Sequence, residues 1–443
     1  MFKPHAMLGI CLASLAALPP HCAAQDWPMF MGAPSHPGLA ASAPAPDWRH
    51  FQRAWKIDLH AEIVASPVIA GGTLYVGAEN GNLHAFRLKD RSLQWLFHSR
   101  GAISSTPAVA HGLVYFLSRD GRFYALDAAN GTPRWTFRTQ GEAVFSTYGM
   151  YGMPTDAGPA PDPWDFYLSS PVLSGDKVYF GSSDERVYAL DAASGKLAWS
   201  FKTGGVIHSS PALANGMLLV GAWDGVLYAL DADTGVERWR FKTGTEQQQS
   251  IMLGIQSSPS VDRDTVYIGS RDGYLYALDL ATGSRKWRYD AQGSWIVATP
   301  AVDAGALYAG TSDTGLLVAL DKRTGREIYR HDTKVWTYAS PLLAGDTLWT
   351  ANMKGELTAL QAATGQLRWT QQSAESRADA FHILDAQGKF DNARLYGSLP
   401  HQTYAALEHV KRLGAYLASP VWHQGLLITA NTLGEIEAWG SEQ

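Results

Sequence analysis

The stretch LLVGAWDGVLYALDADTGVERWRF, residues 218–241, holds three short apolar runs parted by two turns. Leu, Val and Tyr alternate along each run, and Asp224-Gly225 and Thr234-Gly235 break the pattern. Period-two alternation cut by such dipeptides predicts twisted antiparallel hairpins. Upstream, Ser210-Pro211 opens a further short run, so the unit has four strands. The same Ser/Thr-Pro phrase recurs at Pro67, Pro107, Pro171, Pro211, Pro259, Pro300, Pro341 and Pro420. The separations are 40, 64, 40, 48, 41, 41 and 79 residues. A base period near 40 with three insertions means a solenoid or a propeller. A lone four-stranded sheet cannot bury both faces, whereas a circle of them leaves only short, protected edges.

One large aromatic marks the fourth run of each unit: Trp95, Trp135, Trp199, Trp239, Trp287, Tyr329 and Trp369. The last unit stops after its third run, TLGEIEAWG, and an orphan run, AWKIDL, precedes the first. Trp55 in that orphan run fills the missing slot. The expected fold is therefore an all-β, eight-bladed propeller of four-stranded antiparallel blades. The N-terminal strand closes it, and a short helical insertion lies between blades 7 and 8. A ring closed on itself is expected to be monomeric.

Residues 1–24 read as a secretory signal, with Lys3, an apolar stretch from Met7 to Leu18, and cleavage near Ala24. Residues 25–50 read as a tail and linker in which Trp27 and Phe30 dock, and residues 51–443 as the propeller. Cleavage removes one lysine and no acid, taking the net charge from −5 to −6. It also removes Cys11 and Cys22, so no disulfide is expected in the exported chain. Pro19, Pro20 and His21 do not form a lipobox, so no lipid anchor at Cys22 is expected. No other run is long enough to span a membrane. Without a basic excess, nucleic acid is not an expected partner.

The pattern GxLYVGxxDGxLYALDxxTGxxxWxF, clearest at residues 224–241 and 272–289, resembles the PQQ-type repeat of quinoprotein-like propellers. The resemblance implies that Trp55, Trp95, Trp135, Trp199, Trp239, Trp287, Tyr329 and Trp369 are tryptophan-docking residues bracing one blade on the next. The chain is similar in repeat, length and export to BamB-type scaffold subunits of the outer-membrane β-barrel assembly machinery. That likeness implies a non-enzymatic envelope protein whose partner is another envelope protein. The same fold also hosts PQQ-dependent alcohol dehydrogenases, which is the alternative. Those enzymes hold PQQ between a Trp and a disulfide of adjacent cysteines, beside calcium and an Asp base. Here that disulfide cannot form, so no cofactor is expected.

All three insertions, residues 140–167, 245–255 and 371–416, fall at connections on one rim, the usual place for binding loops. The first carries Phe145, Tyr148, Tyr151 and Trp164, read either as a partner-docking loop or as a self-packed one. The third predicts a helix over residues 401–414 with Tyr404, Leu407, Val410 and Leu413 on one face. At the mouth of the central shaft, Phe166, His208, Gln256, Trp295, Trp336 and Tyr338 could form an aromatic funnel for a flat ligand, or simply fill the opening. Glu62 is the one carboxylate counted there. Asp385, Gln387, Gly388, Lys389 and Asp391 form half a calcium-loop pattern with the wrong spacing. No histidine pair has metal-ligand spacing, and no metal site or catalytic residue is assigned.

Overall fold

The computed structural model describes residues 26–40, 43–149, 154–244, 254–397 and 402–440. Eight sheets stand around a central shaft, seven with four strands and one that gains a fifth. Blade 4 is typical, with strands Ala212–Ala214, Met217–Gly221, Val226–Asp231 and Glu237–Lys242 from the shaft outward. In blade 8, Val421–His423, Leu426–Ala430 and Glu435–Gly440 are completed by Gln52–Asp58. That closing strand runs antiparallel to the last one, pairing Gln52 with Gly440, Trp55 with Ala438 and Asp58 with Glu435. Register slips between Arg53 and Trp55, as it slips beside the corresponding aromatic in the other blades. The bulge turns each aromatic toward its neighbour.

The Ser/Thr-Pro phrase has a physical reason. The amide of Ser66 donates to the Thr106 hydroxyl, Thr106 to Ser170, Ser170 to Ser210 and Ser210 to Ser258. Ser258 continues to Thr299, Thr299 to Ser340, Ser340 to Ser419, and Ser419 returns to Ser66. These eight bonds, 2.8 to 3.3 Å long, form a closed girdle around the shaft. The following proline has no N–H, so the girdle leaves no second donor beside it to satisfy.

The outer wall repeats a second device. The indole N–H groups of Trp95, Trp135, Trp199, Trp239 and Trp287 donate to backbone carbonyls of the next blade at 2.9 to 3.0 Å. The Tyr329 hydroxyl does the same to Ala362. Each ring lies flat on a turn glycine; a Cβ on Gly235 would stand 2.6 Å from Trp199. Asp231 caps the same turn through Thr234, and its repeats behave alike. At the seam the device changes. Trp369 has no such turn to meet, because blade 8 takes its outer strand from the other end of the chain, and it packs on Phe51 and Trp439 instead. Trp55 faces a turn with Arg91 at the glycine position, φ 61°, beside a groove of about 670 Å³. The expectation of eight equivalent docking contacts is corrected at these two residues.

The N-terminal tail also departs from expectation. Trp27 docks on the ring as expected, but residues 28–40 are more than a linker; they cross the lower end of the shaft. Trp27 bridges Ile69 in both directions, and Leu39–Ala40 lies parallel to the inner strand of blade 7. Between them, carbonyls of Pro28, Pro34, Ser35 and Pro37 accept amides from blades 2, 4, 5 and 6. His36 is buried, with Nδ1 3.0 Å from the Pro259 carbonyl and its own carbonyl accepting from Ser260.

Two outcomes follow for stability. Gly235→Ala should cost at least ~2 kcal/mol more in urea unfolding than Gly216→Ala, because Gly216 shares its positive φ but faces open space. Equal losses would mean that backbone strain alone, rather than the indole contact, fixes the turn glycine. Burial pushes the His36 imidazole down to about 4 from 6.5. A depressed histidine binds its proton more readily once released, so its contribution is complete above about 6.5 and is lost as pH falls toward 4. The loss reaches about 3 kcal/mol at most. His36→Asn should flatten this part of the pH–stability profile; an unchanged slope would contradict it.

Candidate functional site

The upper rim carries the insertions, and its geometry begins with a buried cation. Arg271 follows the second strand of blade 5, at the residue before an Asp-Gly turn. Its guanidinium lies between the rings of Trp223 and Trp295, 4.3 and 4.2 Å from their centroids. It bonds the Asp162 carboxylate at 2.5 Å and the Gln256 carbonyl oxygen at 2.6 Å. Gln256 Nε2 donates to the Trp164 carbonyl. Arg271 and Asp162 have no side-chain exposure, and burial pushes Asp162 upward against the pull of the arginine. Blade 5 thus clamps the first insertion over the shaft.

A second clasp lies one blade away. His208 sits between Asp165, 2.7 Å from Nδ1, and Ser183, 2.8 Å from Nε2. Burial alone would raise Asp165, yet His208 beside it holds the carboxyl below its usual range. The order resembles an acyl-transfer triad. Ser183 Oγ, however, is also 3.0 Å from Glu142 and 2.9 Å from the Ala143 carbonyl, and His208 and Asp165 are fully enclosed. The one proton of the Ser183 hydroxyl thus has acceptors other than the histidine, and the cluster ties the first insertion to blades 3 and 4. Glu142 also accepts from Ser182, and burial raises its pKa.

The predicted funnel residues do converge, but the mouth is filled. Trp164 from the first insertion enters it, 4.8 Å from Trp336, with Phe166 and Tyr338 alongside. Trp164, Phe166, Trp336 and Tyr338 are each at most 7% exposed. His208 and Gln256 are occupied by the clasps, and Trp295 by Arg271. Of the two readings, the packing fits the one in which these side chains fill the opening. Below the plug a cavity of about 30 Å³ is lined largely by the girdle hydroxyls, room for about two waters. Ligand pockets run to about 300–1,000 Å³. PQQ does not fit the residues present.

The third insertion covers the plug. Helices α2 (Asn392–Tyr396) and α3 (Gln402–Lys411) pack on it through Leu395, Ala406, Leu407 and Val410, with Phe390 and Tyr396 against Trp336; a short α1 (Ala374–Ala378) precedes them. The predicted helix is present as α3, but its buried face is Thr403, Ala406, Leu407 and Val410. Tyr404 points elsewhere and donates to the Pro161 carbonyl, joining the two insertions. Glu62 pairs with Lys411 of α3, which raises the lysine's pKa despite its burial. Asp385 caps its own turn through Gln387 and Lys389, and Asp391 caps α2. Among the described residues no cluster of acidic, His or Cys side chains has the makings of a metal site.

Of the loop aromatics, Phe145 stacks flat on Trp223 at 4.1 Å and Trp164 is the plug. Tyr148 is 64% exposed, the most exposed of the large apolar side chains identified. Tyr151 lies outside the described residues. Sequence reading missed Arg271, Trp223, Asp162, Asp165, Glu142 and Ser183. A signal existed for Ser183, Trp223 and Arg271: each stands just before the Asp that opens the turn between the second and third strands, a position that differs from blade to blade.

A family model described as outer membrane protein assembly factor BamB matches residues 48–150, 161–294 and 271–388. Among solved structures, BamB from Moraxella catarrhalis is similar with a TM-score of 0.62 at 18% identity, covering 88% of this chain and 97% of that one. The quinohemoprotein alcohol dehydrogenase from Comamonas testosteroni is similar with a TM-score of 0.70 at 14% identity, covering 94% and 80%. A europium-containing methanol dehydrogenase gives 0.68 at 14%, covering 94% and 98%. At these identities the structures share the fold. No curated protein matches by sequence.

Arg271→Met should destabilise the protein by about 3–5 kcal/mol, because it strands a buried carboxylate. Adding Asp162→Asn should recover a large part of that loss in urea unfolding. A double variant as weak as the sum of the two singles would contradict the clamp.

Proposed function

This chain belongs to the outer membrane protein assembly factor BamB family, and from that premise we propose that it is a non-enzymatic scaffold of the bacterial envelope. It is exported to the periplasm by its N-terminal signal and binds another envelope protein with the upper rim. No helix among the described residues is long and apolar enough to cross a membrane. The observation that carries this reading is the filled mouth: Trp164, Trp336 and two helices occupy the place where a quinoprotein would need room. The quinone-type oxidoreductase alternative has the fold in its favour, but among the described residues the space under the plug is water-sized. What remains available is the outside of the lid, where Tyr148 projects beside the joined insertions. Exposed tyrosines suit partner contacts because they bring apolar area at small entropic cost.

Two measurements test this. A photo-crosslinking side chain placed at Tyr148 should trap a defined envelope protein in cells, whereas the same group at Ile328, on the outer edge of blade 6, should not. Equal trapping at both, or none at Tyr148, would remove the rim from the account. Titration of the purified protein with PQQ and calcium should leave the cofactor's absorbance unchanged; one equivalent taken up would restore the enzyme reading.

A further inference from the structure

The lower end of the shaft poses a hydrogen-bonding problem of its own. Each inner strand is the edge of a blade, and an unpaired edge presents backbone donors and acceptors. At this end the chain's own tail meets the donors: the amides of Ile69, Val109, Leu213, Val261, Val302 and Leu343 point at it. They end on the carbonyls of Trp27, Pro28, Pro34, Ser35, Pro37 and Gly38, at 2.8 to 3.0 Å. At Val109, Leu213, Val261 and Val302 the tail residue that is bound returns no amide; Ile69 is bonded both ways to Trp27, and Leu343 joins the parallel ladder of Leu39–Ala40.

A circle of donors selects a particular kind of chain. An ordinary strand would bring an N–H for every carbonyl and leave some of them buried without partners. Proline brings the carbonyl alone. Three of the six acceptors are prolines, which is the composition such a ring favours. The path must also bend around the shaft, and it does so through left-handed residues at Met31, Gly32, His36 and Gly38. A side chain at Gly38 is disfavoured: its φ is 59°, and a Cβ would stand 3.1 Å from Ala301 and 3.2 Å from the Pro341 carbonyl besides displacing the end of Met31. The tail is tied to the rest of the chain through residues 44–47, whose side chains are exposed or half-buried.

We infer that the lower mouth is an exchangeable peptide site: a ring of backbone donors that takes an extended, proline-rich segment and is filled in this chain by residues 27–40. The site lies on the face opposite the proposed partner surface and does not depend on that reading. It recognises the peptide by main-chain carbonyls and by curvature, with Trp27 and His36 as buried anchors.

The test uses the full chain with a protease site inserted between Ala45 and Pro46. After cleavage the tail should co-elute with the folded ring. A fluorescent synthetic peptide of residues 26–43 should then replace it, saturating at one per ring. A peptide with Pro28, Pro34 and Pro37 changed to alanine should bind at least about tenfold more weakly. The uncut Gly38→Val chain, its tail displaced, should take up the labelled peptide while the uncut native chain does not. This second variant keeps the test open if cleavage unfolds the ring. A tail that separates from the ring, a tail that never exchanges, or equal uptake of a scrambled peptide would overturn the inference.

Discussion

Eight backbone amides around the shaft each end on the hydroxyl of the next blade, and the last returns to the first. Each bond is worth only about 1 kcal/mol net. The circle matters because no amide can lose its partner without leaving a buried donor unsatisfied. It holds the inner strands at one spacing, so the shaft's width is set before any side chain of the mouth is chosen. The strand bearing Trp55 then completes the sheet at the seam, and the girdle passes through that seam without a break. A rigid inner circle is what allows one rim to carry long insertions and the other end a threaded tail.

The two ends of the shaft are closed by different chemistry. Above, a loop is drawn in by buried polar pairs: Arg271 between two indoles holds Asp162, and His208 bonds Asp165. Both pairs are enclosed, so they fix the loop's place more than they add to stability. Below, the tail is held mainly by backbone bonds and by three prolines that bring no competing donor. The space left between them is water-sized. The proposed scaffold reading fits a propeller that has filled its own centre.

Much of this was legible from the residues. The Ser/Thr-Pro spacing reveals the blade count, and the fourth run missing after Gly440 together with the orphan Trp55 reveals how the ring closes. Those signals are readable because each repeat solves the same packing problem eight times. The site is harder to read. Trp164 and Phe145 look like docking aromatics in sequence, yet both turn inward, because Arg271 and Trp223 on distant blades supply partners that no local pattern announces. The tail misleads in the other direction: its Pro and Gly content signals a linker, whereas those residues are what let it curve through the shaft.

Hydrogen exchange at the girdle amides tests the closed circle most directly. If the ring is one continuous unit, the amides of Ser66 and Ser419 at the seam should exchange as slowly as those of Ser210 and Ser258 on the far side, through global unfolding alone. Exchange at Ser66 and Ser419 that is faster than on the far side and insensitive to the global midpoint would mean that the seam opens by itself, and the account of a single locked circle would fail.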